Sequence, residues 1–287
     1  MKGFIFAGVL VSALICLAEG KPFDNLELVE DDMLMTKEQK EAYLAHQNGR
    51  VRRAALRDRY LWPQGKIPYT FSDDIDQAGR ELAERAMNHW MSRTCLRFSP
   101  RRREHAYIEF QYDGRCRARV GYTGEARQKV SIGSALDPCP LGSVIHELGH
   151  GIGFFHEHSR PDRDEYVNIN VNNIREGAEG NFRKDNGYFV DSRGQDYDYG
   201  SIMHYSKYQG NNAFNAVVME PIQRGAEIGQ RDGLSAGDIR QTNLMYKCNA
   251  QGDSELQPVN DEDEDKDRGD SKKKPDPKGP KPGEIEE

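Results

Sequence analysis

Three histidines and a glutamate stand together in His146-Glu147-Leu148-Gly149-His150-Gly151-Ile152-Gly153-Phe154-Phe155-His156. On a helix, His146 and His150 lie one turn apart on one face, so their imidazoles can hold a single ion. Gly153 lets the chain leave the helix with backbone angles other residues resist, which returns His156 as a third ligand. Three neutral imidazoles leave one coordination position open, the mark of a catalytic rather than a structural zinc site. Glu147, beside the first histidine but off the metal, is placed to accept a proton from activated water and to return it to a leaving amine. These residue types predict hydrolysis without a covalent intermediate, with one Zn2+ as cofactor.

The spacing works only if a helix starts near Pro140 or Leu141 and carries the motif. A second helix is expected over 77–94, where Ala78, Leu82, Ala83, Ala86, Trp90 and Met91 form an apolar stripe. Strands are expected at 66–71, with Pro68 favouring a sheet edge, and at 105–112, 117–122 and 129–132. Beyond the motif the chain is rich in Gly, Asn, Asp and Tyr and reads as loop until a last helix. That helix is announced by the capping box Ser235-x-x-Asp238. Gly233-Leu234-Ser235-Ala236-Gly237 also spells a serine-nucleophile pattern, but residues 229–232 do not make the strand it requires, and Ser235 serves better as a cap. No phosphate-cradling loop of the Walker type occurs.

The two ends have different characters. Residues 1–20 pair Lys2 with an apolar run and a small-residue exit, which reads as a secretory signal peptide rather than a membrane span. Residues 21–53 are charged, with a helix expected over 35–48 and Thr36 as its cap. They end in Arg50-Val51-Arg52-Arg53, which suits cleavage before Ala54 by a basic-site processing protease. Residues 250–287 run from an acidic block into a Lys/Pro block and lack the apolar residues of a folded unit. A catalytic domain is thus expected over 54–249. The formal net charge of -7 gives no support for nucleic-acid binding. Once the leader is removed, Cys95, Cys116, Cys139 and Cys248 remain, enough for two disulfides in an oxidising compartment, with three pairings open.

Residues 146–167, HELGHGIGFFHEHSRPDRDEYV, resemble the zinc signature of the astacin family of metalloendopeptidases, within the metzincin group. Ser201-Ile202-Met203-His204-Tyr205 is similar to that family's Met-turn, and the similarity extends over residues 61–248. The fold implied is α+β. A twisted mixed sheet and two helices would form an N-terminal subdomain of about 54–155. A largely irregular subdomain of about 156–249 would end in a helix, with the active-site cleft between them.

The resemblance also implies roles that spacing alone does not. Met203 would floor the metal site. Tyr205 would both ligate the metal and stabilise the tetrahedral intermediate, its phenol donating where oxyanion charge develops. Glu157 would meet the new N-terminus of the processed enzyme; counted from Trp62, that start falls at Arg53, against Ala54 from the basic run. Asp32 in Val29-Glu30-Asp31-Asp32-Met33 stands for the family's latency aspartate, with Asp31 as the alternative. The family pairing is Cys95–Cys248 and Cys116–Cys139. An edge strand at 117–121 would take substrate backbone by strand addition, with Arg117 and Arg119 lining the groove. The protein implied is a secreted monomeric endopeptidase made as a latent zymogen. It would act on extracellular proteins or peptides, be activated by a processing protease, and have no nucleic-acid partner and no membrane span. A zinc-binding protein without turnover and a non-peptidase zinc hydrolase are the competing classes. The intact Glu147 argues against the first, and the long cleft implied by the family against the second.

Overall fold

The computed structural model describes residues 26–28, 31–47, 58–185 and 191–248. The expected leader, the basic run with Arg53 and Ala54, and the charged tail lie outside them.

Seven strands form one mixed sheet: β1 (Leu26–Leu28), β2 (Met33–Thr36), β3 (Lys66–Phe71), β4 (Arg97–Pro100), β5 (Tyr107–Gln111), β6 (Arg115–Arg119) and β7 (Arg127–Gly133). Their order is β1-β2-β6-β7-β5-β3-β4. Neighbours from β7 to β4 are parallel, β6 is antiparallel to β7, and β2 runs parallel to β6. Pro68 does not mark an edge as expected, because β3 has β4 on one side and β5 on the other. Pairing with β5 begins only at Tyr69, so Pro68 sits where one neighbour is absent. β4 carries no clear sequence pattern and was not expected.

Helix α1 (Lys37–Gln47) begins two residues later than expected, because Met33–Thr36 is drawn into the sheet. Thr36 is its cap: Thr36 Oγ1 accepts from Gln39 N at 3.0 Å, and Gln39 Oε1 accepts from Thr36 N at 2.9 Å. Helix α2 (Gln77–Met91) is capped by Asp76, which accepts from Gly79 N at 2.8 Å. It stops short of residue 94 because Thr94 Oγ1 donates to Trp90 O and then accepts from Leu96 N, turning the chain into β4. Helix α3 (Leu141–Gly151) is buried along most of its length, as a helix apolar nearly all round must be. Helix α4 (Ala236–Tyr246) has the expected capping box, with reciprocal Ser235 and Asp238 bonds of 2.9 Å. That use of Ser235 leaves the nucleophile pattern as a coincidence of letters.

The main core lies where α2 and α3 pack on the sheet, around Trp90, Ile108, Phe110, Ile132, Ile145 and Leu148. A second cluster, including Val167, Phe182, Tyr205, Val218 and Met219, holds together the loop-rich half. The only regular sheet described there is the pair β8 (Val167–Ile169) and β9 (Met219–Pro221). The disulfides are Cys95–Cys248 and Cys116–Cys139, the pairing the resemblance implied. The first spans 153 residues and ties the end of α4 to the start of β4.

Candidate metal centre and active site

His146 and His150 project from α3 with their Nε2 atoms 3.1 Å apart. After α3, Gly153 adopts φ 107°, and His156 returns with its Nε2 3.2 Å from that of His150. Backbone carbonyls can only accept, so they fix two tautomers: His146 Nδ1–H donates to Ile202 O at 2.7 Å and His150 Nδ1–H to Phe154 O at 2.9 Å. The Nε2 lone pairs of those rings therefore face each other. Burial drives the His146 pKa down to about 3, which keeps that ring neutral. Converging lone pairs on buried imidazoles need a cation, and the nitrogen donors suit zinc.

A carboxylate completes the group. Asp32 Oδ2 lies 3.3 Å from His146 Nε2, and its Oδ1 lies 3.2 Å from His156 and 3.6 Å from His150. The four donors lie within 4.8 Å of one another; Asp31 is not among them. Asp32 arrives there because β2 adds to the free side of β6. Ala118 N donates to Asp32 O at 2.9 Å and Val120 N to Leu34 O at 3.0 Å, and the Gln39 amide donates to Val120 O at 3.0 Å.

Glu147 is 2 % exposed, and its Oε2 has no hydrogen-bond partner among the described residues. Burial, then the nearby Asp32 charge, pushes its pKa well above the usual carboxylate range. Met203 lies under the helix: a Cβ on Gly149 would come within 2.5 Å of its Sδ, so only glycine permits this approach. Glu157 N donates to Met203 O at 3.1 Å, and Asp238 accepts from Ser201 Oγ and Ile202 N. The turn is thus held by α4 and by the residue after the third histidine. The Tyr205 ring is buried 4.4 Å from that of His156 and 4.1 Å from that of His158.

Glu157 Oε1 accepts from Arg160 Nη1 at 3.0 Å and Asp198 N at 2.9 Å. Burial pushes its pKa up to about 7 even beside that arginine. It lines a recess with Leu61, Gly153, Arg160, Gln241 and Met245. Arg117 and Arg119 lie on β6, but each guanidinium is paired within the chain, with Asp113 and Glu125 respectively.

Two participants went unnoticed in the sequence. Arg231, half-buried, feels the charges of Asp32 and Glu147 while its Nη1 donates to His204 O at 3.1 Å. His158, fully buried, forms a shelf for Tyr205. Neither belongs to a spacing pattern that would have singled it out.

Comparison with known proteins agrees with the site. The family model for the astacin peptidases matches residues 54–247. A nematocyst expressed protein 6 of Nematostella vectensis is 99% identical over 287 residues, the full length of both chains. Zinc metalloproteinase nas-39 of Caenorhabditis elegans is 45% identical over 70% of this chain, which spans 22% of that longer protein. Among solved structures, high choriolytic enzyme 1, a hatching enzyme zinc-protease of Oryzias latipes, superposes with a TM-score of 0.63 at 33% identity, covering 68% of this chain and 98% of that one. Three converging imidazoles, a buried glutamate beside them and a methionine turn beneath are thus set in a domain that these relatives share, and the chain belongs to the astacin family of zinc metalloendopeptidases.

Proposed function

We propose that the chain is exported as a latent precursor and becomes an extracellular endopeptidase when cleavage near Arg53 and Ala54 frees residues 21–53. The observation that carries this reading is Asp32 among the three histidines, directly before a strand that fills the open side of β6. The apolar first twenty residues support export, as does a relative named for expression in nematocysts. No helix among the described residues is long and apolar enough to cross a membrane.

His146, His150 and His156 would hold one zinc ion, with Asp32 as a further ligand in the precursor. Zinc there supplies Lewis acidity toward water and a substrate carbonyl. Glu147 takes the proton of the attacking water on its carboxylate and passes it to the leaving amine. Tyr205 donates its phenolic hydrogen to the developing oxyanion. The backbone of β6 and of Val120 just beyond it, with donors at Ala118 and Val120 and an acceptor at Val120, binds substrate as an added strand once β2 has gone. Arg117 and Arg119 stiffen that strand through their own acids, which leaves backbone pairing as its main contribution.

After processing, the new ammonium enters the recess beside Glu157, whose carboxylate then gains a charged partner. Since Glu157 also holds Met203 O through its backbone N–H, that pairing braces the floor of the site.

The test compares precursor and processed chain, with and without Glu147→Ala and with and without a zinc chelator, on an unbiased peptide library. Cleavage by the processed, metal-loaded, Glu147-containing form alone is the expected result. Activity that survives loss of Glu147 would overturn the mechanism.

A further inference from the structure

Met33 and Met35 fall on one side of β2, since alternate residues of a strand share a face. They are 0 % and 1 % exposed, whereas Leu34 between them is half-buried. With Tyr43 of α1 and Val120 they make an apolar cluster separate from the main core, and Phe155 packs against it. The Tyr43 and Phe155 rings are stacked at 6.3 Å. On the catalytic side this cluster consists of Val120, at the end of the strand-adding edge, and Phe155, immediately before His156.

A recess continues behind them. Its catalytic-domain walls are Tyr60, Leu61, Val120, Gly153 and Phe155, with Met35 and Gln39 closing it from the N-terminal segment. With Met35 and Gln39 in place, little more than the space of one water is left there, so Met35 occupies the recess in the unprocessed chain. None of these wall residues carries a charge.

On the peptidase reading above, we infer that this recess is a substrate subsite for a long or flat apolar side chain, with Phe155 and Val120 as its specificity-determining residues. A strand that replaced β2 on β6 would present alternate side chains to the same face, next to the histidines. A charged side chain placed there would lose hydration and gain no partner. A leucine, methionine or phenylalanine would bury its surface as Met35 does now. Latency and substrate selection would then share one apolar surface: the N-terminal segment is held by the pocket that later reads the substrate.

The processed full chain is profiled on a peptide library, alongside Phe155→Ala, Val120→Thr and the size-conserving Phe155→Met, with zinc content measured for each. Inhibition by a synthetic peptide of residues 31–47 is measured in parallel. The wild type is expected to favour Leu, Met or Phe over Ala by about 10-fold or more in kcat/KM at one position within three residues of the cut. Phe155→Ala should bring that ratio toward 1 and weaken inhibition by the peptide, while Phe155→Met keeps most of the ratio. A wild type that cuts without apolar preference, or a preference unmoved in Phe155→Ala and Val120→Thr while peptide inhibition weakens, overturns the subsite and leaves the patch as an anchor for the N-terminal segment. A correctly processed, zinc-loaded wild type that cuts nothing overturns the peptidase reading and the subsite with it.

Discussion

Asp32 Oδ1 lies 3.2 Å from His156 Nε2, one residue in the bend that enters strand β2 and the other in the loop that leaves helix α3. Its carboxylate reaches all three imidazoles, so it competes for the position a hydrolytic site must keep open. Asp32→Ala in the unprocessed chain should therefore raise cleavage of a quenched peptide by at least about 10-fold, the equivalent of roughly 1.4 kcal/mol of lost blocking. Asp31→Ala should not. An Asp32→Ala precursor as inert as the wild type, alongside an active processed form, would place latency elsewhere.

Glu147 touches no described hydrogen-bond donor with Oε2, so its removal breaks little of the fold. Glu147→Gln should keep zinc at one per chain and lower kcat/KM by roughly 10²–10⁴-fold, the usual contribution of a positioned acid–base group. Metal analysis and kinetics on the same preparation separate a catalytic loss from a binding loss.

His89 Nε2 accepts from Leu234 N at 3.0 Å and can do so only as a neutral ring. Burial, then Arg93, lowers its pKa from 6.5 to about 4. The unfolded chain therefore takes up a proton first, and stability falls as pH drops from about 6.5 toward 4. The stabilisation is complete above that window. Thermal midpoints of wild type and His89→Asn, measured from pH 4 to 7.5, should converge at the acidic end; a constant gap would assign the loss to packing alone.

The Cys95–Cys248 bridge closes a far longer loop than Cys116–Cys139, 153 residues against 23. In the chain-entropy picture its removal costs about 4–5 kcal/mol, against about 3 for the shorter loop. Paired Cys→Ala substitutions followed by urea unfolding should reproduce that order. The longer bridge also holds α4, so its loss should lower zinc affinity; equal zinc affinity in both variants would argue against that coupling.

The clustering of His146, His150 and His156 was legible because helix geometry turns a four-residue spacing into a shared face, and Gly153 signals where the helix must end. The cap at Thr36 and the capping box at Ser235 were legible because they are satisfied within four residues. The course of the N-terminal segment was harder to read. Nothing local in Met33–Thr36 outweighs helix propensity, and only the open edge of β6, more than eighty residues on, makes it a strand. β4 likewise exists because β3 offers it a partner. Arg231 and His158 join the site through contacts between segments distant in sequence, which no periodicity records.

Asp238 holds Ser201 and Ile202 from the first turn of α4, and Cys248 then pins that helix to Cys95. During synthesis both residues leave the ribosome after everything they secure, whereas Asp32 leaves it before any histidine of the site. The growing chain acquires its stopper first, its ligands next and the clamp on the methionine turn last. At no stage of translation can the three histidines assemble without Asp32 already present in the chain, and on the precursor reading proposed above that order of residues would protect the cell that makes it.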